Sequence, residues 1–576
     1  MTKYKKIDII IMYKNRGICM AKKIKINYKD LETKEFDAGV TLKEISDSFK
    51  HYYNYPILLG KIDNEVVELS EQINRSYTVD FCDRTSGPGN SVYGRTCQFL
   101  VIVAVKKLFG EEADVTIEHS IDKGFYCEIH GVDLDKPVVK MIEDKMKELS
   151  KQDLRIQKIS VSRFDAIKYF QKKKQLDKID VLKYISNTYV NLYRIDDIYD
   201  YFYGRLAYST KDIDDFKLTY IKDNGFVLNY PTTYNPEFTL DYVHHEMLFN
   251  KFLDYTKWGR TINITNASQL NKVVSAGRYN DLIKLAEVYY NNQLAEIANT
   301  IEENRKNIRL ILIAGPSSSG KTTTAKKLEI YLGSKGIRPH RISLDDYFVD
   351  RDKTPKLPNG EYDFESLRAI DITLLNKHLT KLFEGEKVEL PEYNFVLGKR
   401  EYKGKYLQLN DGDIVVIEGL HALNDDLTMS IDRRNKFKIY INALTQLNID
   451  NHNRIHTSDT RKLRRIVRDN TYRGRTASET LRMWKEIREG EEKYVFPYQD
   501  NCDYVLNSAF VYEIGVLKVY AEPLLFNVPE SDFDYPEAIR LINLLRNFMP
   551  IPSEGVPRDS VIREFIGGSD FEKGEL

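Results

Sequence analysis

The sequence predicts a multidomain α/β and α+β protein whose C-terminal half holds a parallel sheet built around a phosphate-binding loop. Three observations carry this expectation. Gly315, Pro316, Ser317, Ser318, Ser319, Gly320, Lys321 and Thr322 spell G-x-x-x-x-G-K-[ST], with Thr323 next. An apolar run, Leu310 to Ile313, leads in as a buried strand, and Ala325 to Leu332 leads out as a helix. Residues 306–530 then alternate strand and helix patterns, as a parallel sheet requires. Glycines let such a loop curl so that its N–H groups face phosphate oxygens, and the helix N-terminus adds positive charge. Lys321 would reach the terminal phosphates of a nucleoside triphosphate, and the Thr322 hydroxyl would sit on Mg²⁺.

The rest of the chain divides by pattern. Residues 1–21 read as an extension, with Met20 as an alternative start. Residues 22–83 read as a small unit with strands at 22–28, 57–67 and 78–82 and a helix at 41–49. The run Ser86, Gly87, Pro88, Gly89 reads as a boundary loop opening residues 84–235. That segment has an apolar helix from Cys97 to Phe109, strands near 115–119 and 124–129, and charged helices to about Lys174. Residues 236–305 read as a helical connector, with long periodicity from Asp281 to Asn304. Residues 531–576 are weakly patterned and read as a tail.

Composition excludes several classes. Lys and Arg number 86 and Asp and Glu 86, so no global field draws the chain to nucleic acid or membrane. The five cysteines form no C-x-x-C pair, which argues against a disulfide framework or thiolate zinc site. No run approaches a membrane span or a signal sequence, so a cytoplasmic protein without membrane contact is expected.

Three clusters after the loop fit one site. Asp345 and Asp346 end a short strand, where a carboxylate can accept a hydroxyl proton or hold Mg²⁺; the bland alternative is a helix cap. Glu418 follows four apolar residues, the position of an acid that orients Mg²⁺ at a strand end. Arg461, Arg464, Arg465 and Arg468 share a helical face, extended by Arg473 and Arg475. Such a face is a solvated surface, a nucleic-acid patch or, beside a phosphate loop, a closing lid whose forks neutralise phosphoryl charge.

Together with Pro391 to Phe395, these motifs occur in the order found in the uridine kinase and phosphoribulokinase family, which residues 306–530 resemble. The resemblance implies a P-loop NTPase kinase domain, ATP and Mg²⁺ as cofactors, and a nucleoside, such as uridine or cytidine, phosphorylated on its 5′-hydroxyl. It assigns catalytic roles to Asp345, Lys321, Arg468 and Arg475. It places Phe348, Phe364, Glu365, Tyr393 and Phe395 at the acceptor, and Thr322, Asp345 and Glu418 at Mg²⁺. Uridine kinases carry a His where this chain has Gly398, so a loosely read base is expected unless His452 or Arg454 supplies the contact.

Residues 22–83 resemble a TGS domain, a β-grasp fold, and residues 84–235 resemble the second additional domain of threonyl-tRNA synthetase. The four positions for that domain's editing residues read Arg95, Phe99, Phe202 and Leu206, so neither hydrolysis nor zinc is expected. Three readings stay open at this point. One is a nucleoside kinase fused to an inactive synthetase-like module. Another is a kinase of a different hydroxyl compound, such as a sugar phosphate. The last is an ATP-gated regulator that binds tRNA. Homo-oligomerisation is also open.

Overall fold

The computed structural model describes residues 22–222, 225–356, 360, 362–394, 397–445 and 447–571. The expected extension at 1–21 and the candidate residue Phe395 lie outside the described residues.

The first unit is a five-stranded mixed sheet in the order Glu32–Asp37, Lys23–Tyr28, Tyr77–Cys82, Leu59–Ile62, Glu65–Glu68. Its one parallel pair joins Lys23–Tyr28 to Tyr77–Cys82. Alternation buries Ile24, Ile26 and Tyr28 against the helix Leu42–Phe49, which Thr41 opens with a reciprocal Thr41–Glu44 capping box.

The second unit corrects the expected boundary loop. Gly87 to Gly89 lie inside the helix Gly87–Phe109, with Ser86 as N-cap and Pro88 in the first turn, where a missing N–H costs nothing. That helix and Lys136–Lys151 cover an antiparallel sheet ordered Lys217–Ile221, Gly225–Asn229, Gly124–His130, Asp114–Ile121. A three-stranded sheet is formed by Gln157–Ser162, where charged helix was expected, with Tyr189–Ile195 and Ile198–Tyr201, beyond the last element the sequence assigned. Its strands mix lysine with β-branched and aromatic residues, which weakens the alternation.

Helices Glu246–Thr261, Ala267–Ser275 and Tyr279–Glu303 lead to the C-terminal sheet. That sheet is parallel throughout, ordered Pro339–Ser343, Ile414–Glu418, Leu310–Ala314, Lys436–Asn442, Tyr504–Asn507. The phosphate-loop strand is central, and all five of its residues are buried.

Residues 531–571, the described part of the expected tail, are not an appendage. Leu541, Leu544, Phe548, Val561 and Phe565 join one apolar cluster with Ala325 and Leu328 of the phosphate-loop helix. The helices Tyr535–Leu545 and Arg563–Ile566 are short and separated by proline- and glycine-containing turns. Periodicity needs a longer window to register. Among the described residues no helix is long and apolar enough to cross a membrane.

The two halves are bolted together by charge. Lys178, fully buried, sits 2.9 Å from both Asp200 and Asp450. His452 bonds Asp200 and Asp114. Asn448 donates to the carbonyls of Ile117 and Glu118, where a bulge lifts the strand edge out of register. The loop leading into the arginine helix is thus held by the synthetase-like unit.

Candidate active site

The phosphate loop runs from Gly315 to the first turn of the helix Lys321–Ser334. Gly320 has φ +86° and Ser318 φ +59°, the left-handed geometry that turns consecutive N–H groups to one side. A side chain on Gly315 would strike the Ile441 carbonyl, and one on Gly320 would strike Val561. Both glycines are therefore fixed by close approach as well as by curvature. Pro316, Ser317 and Ser319 complete the curl. Lys321 Nζ donates to the carbonyls of Gly315 at 2.9 Å and Pro316 at 3.1 Å. Burial lowers the Lys321 pKa, while Glu418, Glu564 and Glu491 act to raise it.

Glu418 ends its strand 3.3 Å from the Thr322 hydroxyl. Burial raises the Glu418 pKa, opposed by Lys321 and aided by Asp345. Two hard oxygen donors at this spacing suit Mg²⁺, which takes one or two protein ligands and keeps its waters. Asp345 heads the turn after Pro339–Ser343. The crowding of the site raises its carboxyl above the ordinary range, with Asp346 adding to the shift and Lys321 and Arg473 opposing it. Its side chain still reaches solvent, which limits the effect. Asp346 instead accepts from the Tyr393 N–H at 3.3 Å.

The proposed acceptor residues converge. Phe348 stands edge-on to Phe364, at 6.0 Å between ring centres, and to Tyr393, at 5.6 Å. Glu365 is in electrostatic reach of Arg465, Lys321 and Asp345, and burial raises its pKa. Gly398 has φ +65°, and a Cβ there would meet Arg351 Nε at 2.7 Å. The Arg351 guanidinium therefore occupies the space beside Gly398. His452 and Arg454 do not serve this pocket. His452 lies in the inter-domain bolt, and Arg454 faces a separate cleft.

The arginine helix, Thr457–Arg473, is only partly a lid. Arg461 and Arg464 are 2 % and 0 % exposed and act as anchors. Arg461 forks onto Glu491 at 2.5 and 2.9 Å and donates to the Ser317 carbonyl. Arg464 bonds Glu513 and the Ser318 carbonyl. Burial opposes ionisation of Glu491, but Arg461 and Arg488 outweigh it and hold it below the usual carboxylate range. Arg465 reaches the Ser317 hydroxyl, and Arg468 lies in electrostatic reach of Lys321. Arg473 lies in electrostatic reach of Asp345, while Arg475 Nη1 rests on the Met483 sulfur.

Two acids were invisible to local pattern. Glu491 accepts the Ser317 N–H at 2.8 Å. Glu564, from the C-terminal segment, accepts the Thr323 hydroxyl at 2.7 Å and the Thr323 N–H at 3.3 Å. Asp559 pairs with Lys327 of the same helix at 2.8 Å. A carboxylate thus sits on an N–H of the phosphate-loop helix, the kind of group that binds phosphate.

In the synthetase-like unit, Arg95, Phe99, Phe202 and Leu206 do come together. Phe99 and Phe202 pack edge to face at 5.3 Å, and Leu206 is buried beside them. Arg95 instead donates to the Arg205 carbonyl at 2.7 Å.

The fold and the site give the C-terminal half the architecture of a P-loop domain, a phosphate-binding loop at the end of the central strand of a parallel sheet. Residues 310–514 match the model of the Phosphoribulokinase / Uridine kinase family. A uridine kinase of Deinococcus deserti is 27% identical over 198 residues, covering 34% of this chain and 86% of that protein. The N-terminal region matches threonine–tRNA ligases. That of Acetivibrio thermocellus is 25% identical over 255 residues, 42% of this chain. The chain spans only 40% of that ligase's length. Among solved structures, a possible uridine kinase from Bacillus stearothermophilus aligns at 23% identity and TM-score 0.22, covering 26% of this chain and 79% of that one.

Proposed function

We propose that the chain is an ATP- and Mg²⁺-dependent kinase that phosphorylates the 5′-hydroxyl of a pyrimidine nucleoside such as uridine or cytidine. The observation that carries this reading is convergence. Lys321, Glu418 and Asp345 meet at the strand ends beside the aromatic trio Phe348, Phe364 and Tyr393.

Mg²⁺, when bound with ATP, neutralises charge on the phosphate oxygens. Lys321 leaves its loop carbonyls to hold the terminal phosphates, and Thr322 with Glu418 would hold the metal ion. Asp345 accepts the proton of the attacking hydroxyl, for which its raised pKa is an advantage near neutral pH. Arg468 and Arg473 face the charge spreading over the transferred group. Arg475 is then a positioning residue at the end of the arginine helix. The ring faces of Phe364 and Tyr393 hold a planar base by stacking, which tolerates any pyrimidine.

Arg351 beside Gly398 favours one second reading, an acceptor that already bears an anionic group, such as a sugar phosphate. A competition assay at limiting ATP separates the two. Uridine, cytidine and thymidine consumed within about a hundredfold of one another in kcat/KM support the nucleoside. Exclusive use of a sugar phosphate would transfer the assignment to the second reading.

A further inference from the structure

We propose that the cleft between the synthetase-like unit and the kinase unit is a second binding site, separate from the phosphate loop, for a small phosphomonoester with a planar ring. The cleft encloses about 300 Å³, room for a ligand of nucleotide size. Phe125 and Tyr230 wall it on the synthetase-like side; Arg454 and His456 wall it on the kinase side. The same four residues border a narrower recess that Arg95 and Tyr203 also line, so the two hollows share one wall.

At Arg454 the cleft carries positive charge with no ion-paired carboxylate, since Glu492 on the same lining is held by Arg488. Arg454 is 5 % exposed. Its Nη2 donates to His456 Nδ1 at 2.8 Å, its Nη1 reaches only the Ile455 carbonyl at 3.4 Å, and its buried Nε has no hydrogen-bond partner. The guanidinium stacks 4.5 Å from the Phe125 ring centre. Among the described residues no carboxylate lies within ion-pair distance of Arg454 or of Arg95, although 54 such pairs exist elsewhere. The neighbouring acid, Asp459, is already held by Arg540 at 2.6 and 2.9 Å. His456 does not relieve the excess. Burial, with Arg454 and Arg95 adding repulsion, pushes its pKa down to about 3, so it stays neutral.

A buried, unneutralised cation is expensive, and proteins keep one where a ligand brings the counter-charge. The Arg454 fork, with Arg95 behind the shared wall, matches the spread oxygens of a phosphate better than it matches a single carboxylate. The N-terminus of the arginine helix, at Thr457 and Ser458, borders the same cleft and adds its positive end. The rings of Phe125 and Tyr230 suit the planar part of such an ester.

The test is calorimetric titration of the full-length chain with inorganic phosphate, ribose 5-phosphate, uridine 5′-monophosphate and citrate. It is run on wild type, Arg454→Met, Arg95→Leu and Lys321→Ala. The expected result is that, with uridine saturating the acceptor pocket, uridine 5′-monophosphate still binds, and binds Lys321→Ala as it binds wild type. Each cleft substitution should weaken it by about tenfold or more. Thermal melts guard against simple misfolding. Without ligand, Arg454→Met should melt no lower than wild type, because a lone buried charge has been removed, and should lose the ligand-induced rise. Either of two outcomes would overturn the proposal. One is binding lost in Lys321→Ala but kept in the cleft variants. The other is no phosphate-bearing probe binding wild type at millimolar concentration. Citrate binding as tightly as the monophosphate would overturn the assignment to phosphomonoesters.

Discussion

Replacing Glu564 should tighten nucleotide binding, the opposite of what most substitutions near a site do. The Glu564 carboxylate takes both the hydroxyl and the N–H of Thr323, at 2.7 and 3.3 Å, in the first turn of the phosphate-loop helix. A nucleotide phosphate directed to that turn must displace the carboxylate or sit against its charge. Net hydrogen bonding to a charged group contributes roughly 1.5–3 kcal/mol. Glu564→Gln keeps the shape and removes the charge, so it should strengthen binding of a non-hydrolysable ATP analogue by about ten- to a hundredfold. The segment should stay docked, since Asp559 still pairs with Lys327 and Val561 and Phe565 remain in the core. Isothermal titration calorimetry with free Mg²⁺ held constant measures the change. Unchanged or weaker binding in a variant that melts like wild type would refute the idea that Glu564 competes for the anion position.

Other outcomes follow from the same geometry. Lys321→Ala should cost about 3–4 kcal/mol of transition-state stabilisation, about a hundred- to a thousandfold in rate, in steady-state assays of a folded variant. Asp345→Asn should lower the rate by about a hundred- to ten-thousandfold, while Asp346→Asn, whose amide oxygen can still accept the Tyr393 N–H, should do less. Because the folded pKa of Asp345 is raised, the acid limb of kcat/KM should lie above the ordinary carboxylate value of about 3.9, and Asp345→Asn should abolish that limb. Burial alone would lower the His452 pKa, but Asp200 and Asp114 outweigh it and hold it at about 10. Its stabilising contribution is therefore complete below about pH 6.5 and lost as pH rises toward about 10; His452→Gln should flatten urea-unfolding stability across that window.

What could be read from the sequence was local. The phosphate loop, the buried strand before Glu418 and the Asp345 turn each lie within one stretch of about ten residues, where periodicity and turn chemistry act. What could not be read joins distant segments. Glu491 meets Ser317 across 174 positions, and Glu564 meets Thr323 across 241. Nothing beside either glutamate marks it. The arginine helix carried a partial signal. Leu463, Ile466 and Val467 interleave with its arginines, so an apolar face was visible, but the partners that bury Arg461 and Arg464, Glu491 and Glu513, lie on other helices. The Ser86 to Gly89 run was misread because the same residues that make turns also start helices.

The central claim is that this chain moves a phosphoryl group from ATP to the 5′-hydroxyl of a pyrimidine nucleoside. Phosphorus NMR of the products formed from ATP, Mg²⁺ and uridine tests it most directly. The account predicts a uridine 5′-phosphate signal that grows with wild type and is absent with Lys321→Ala. A wild-type protein that binds ATP yet leaves uridine, cytidine and thymidine all unphosphorylated would contradict it.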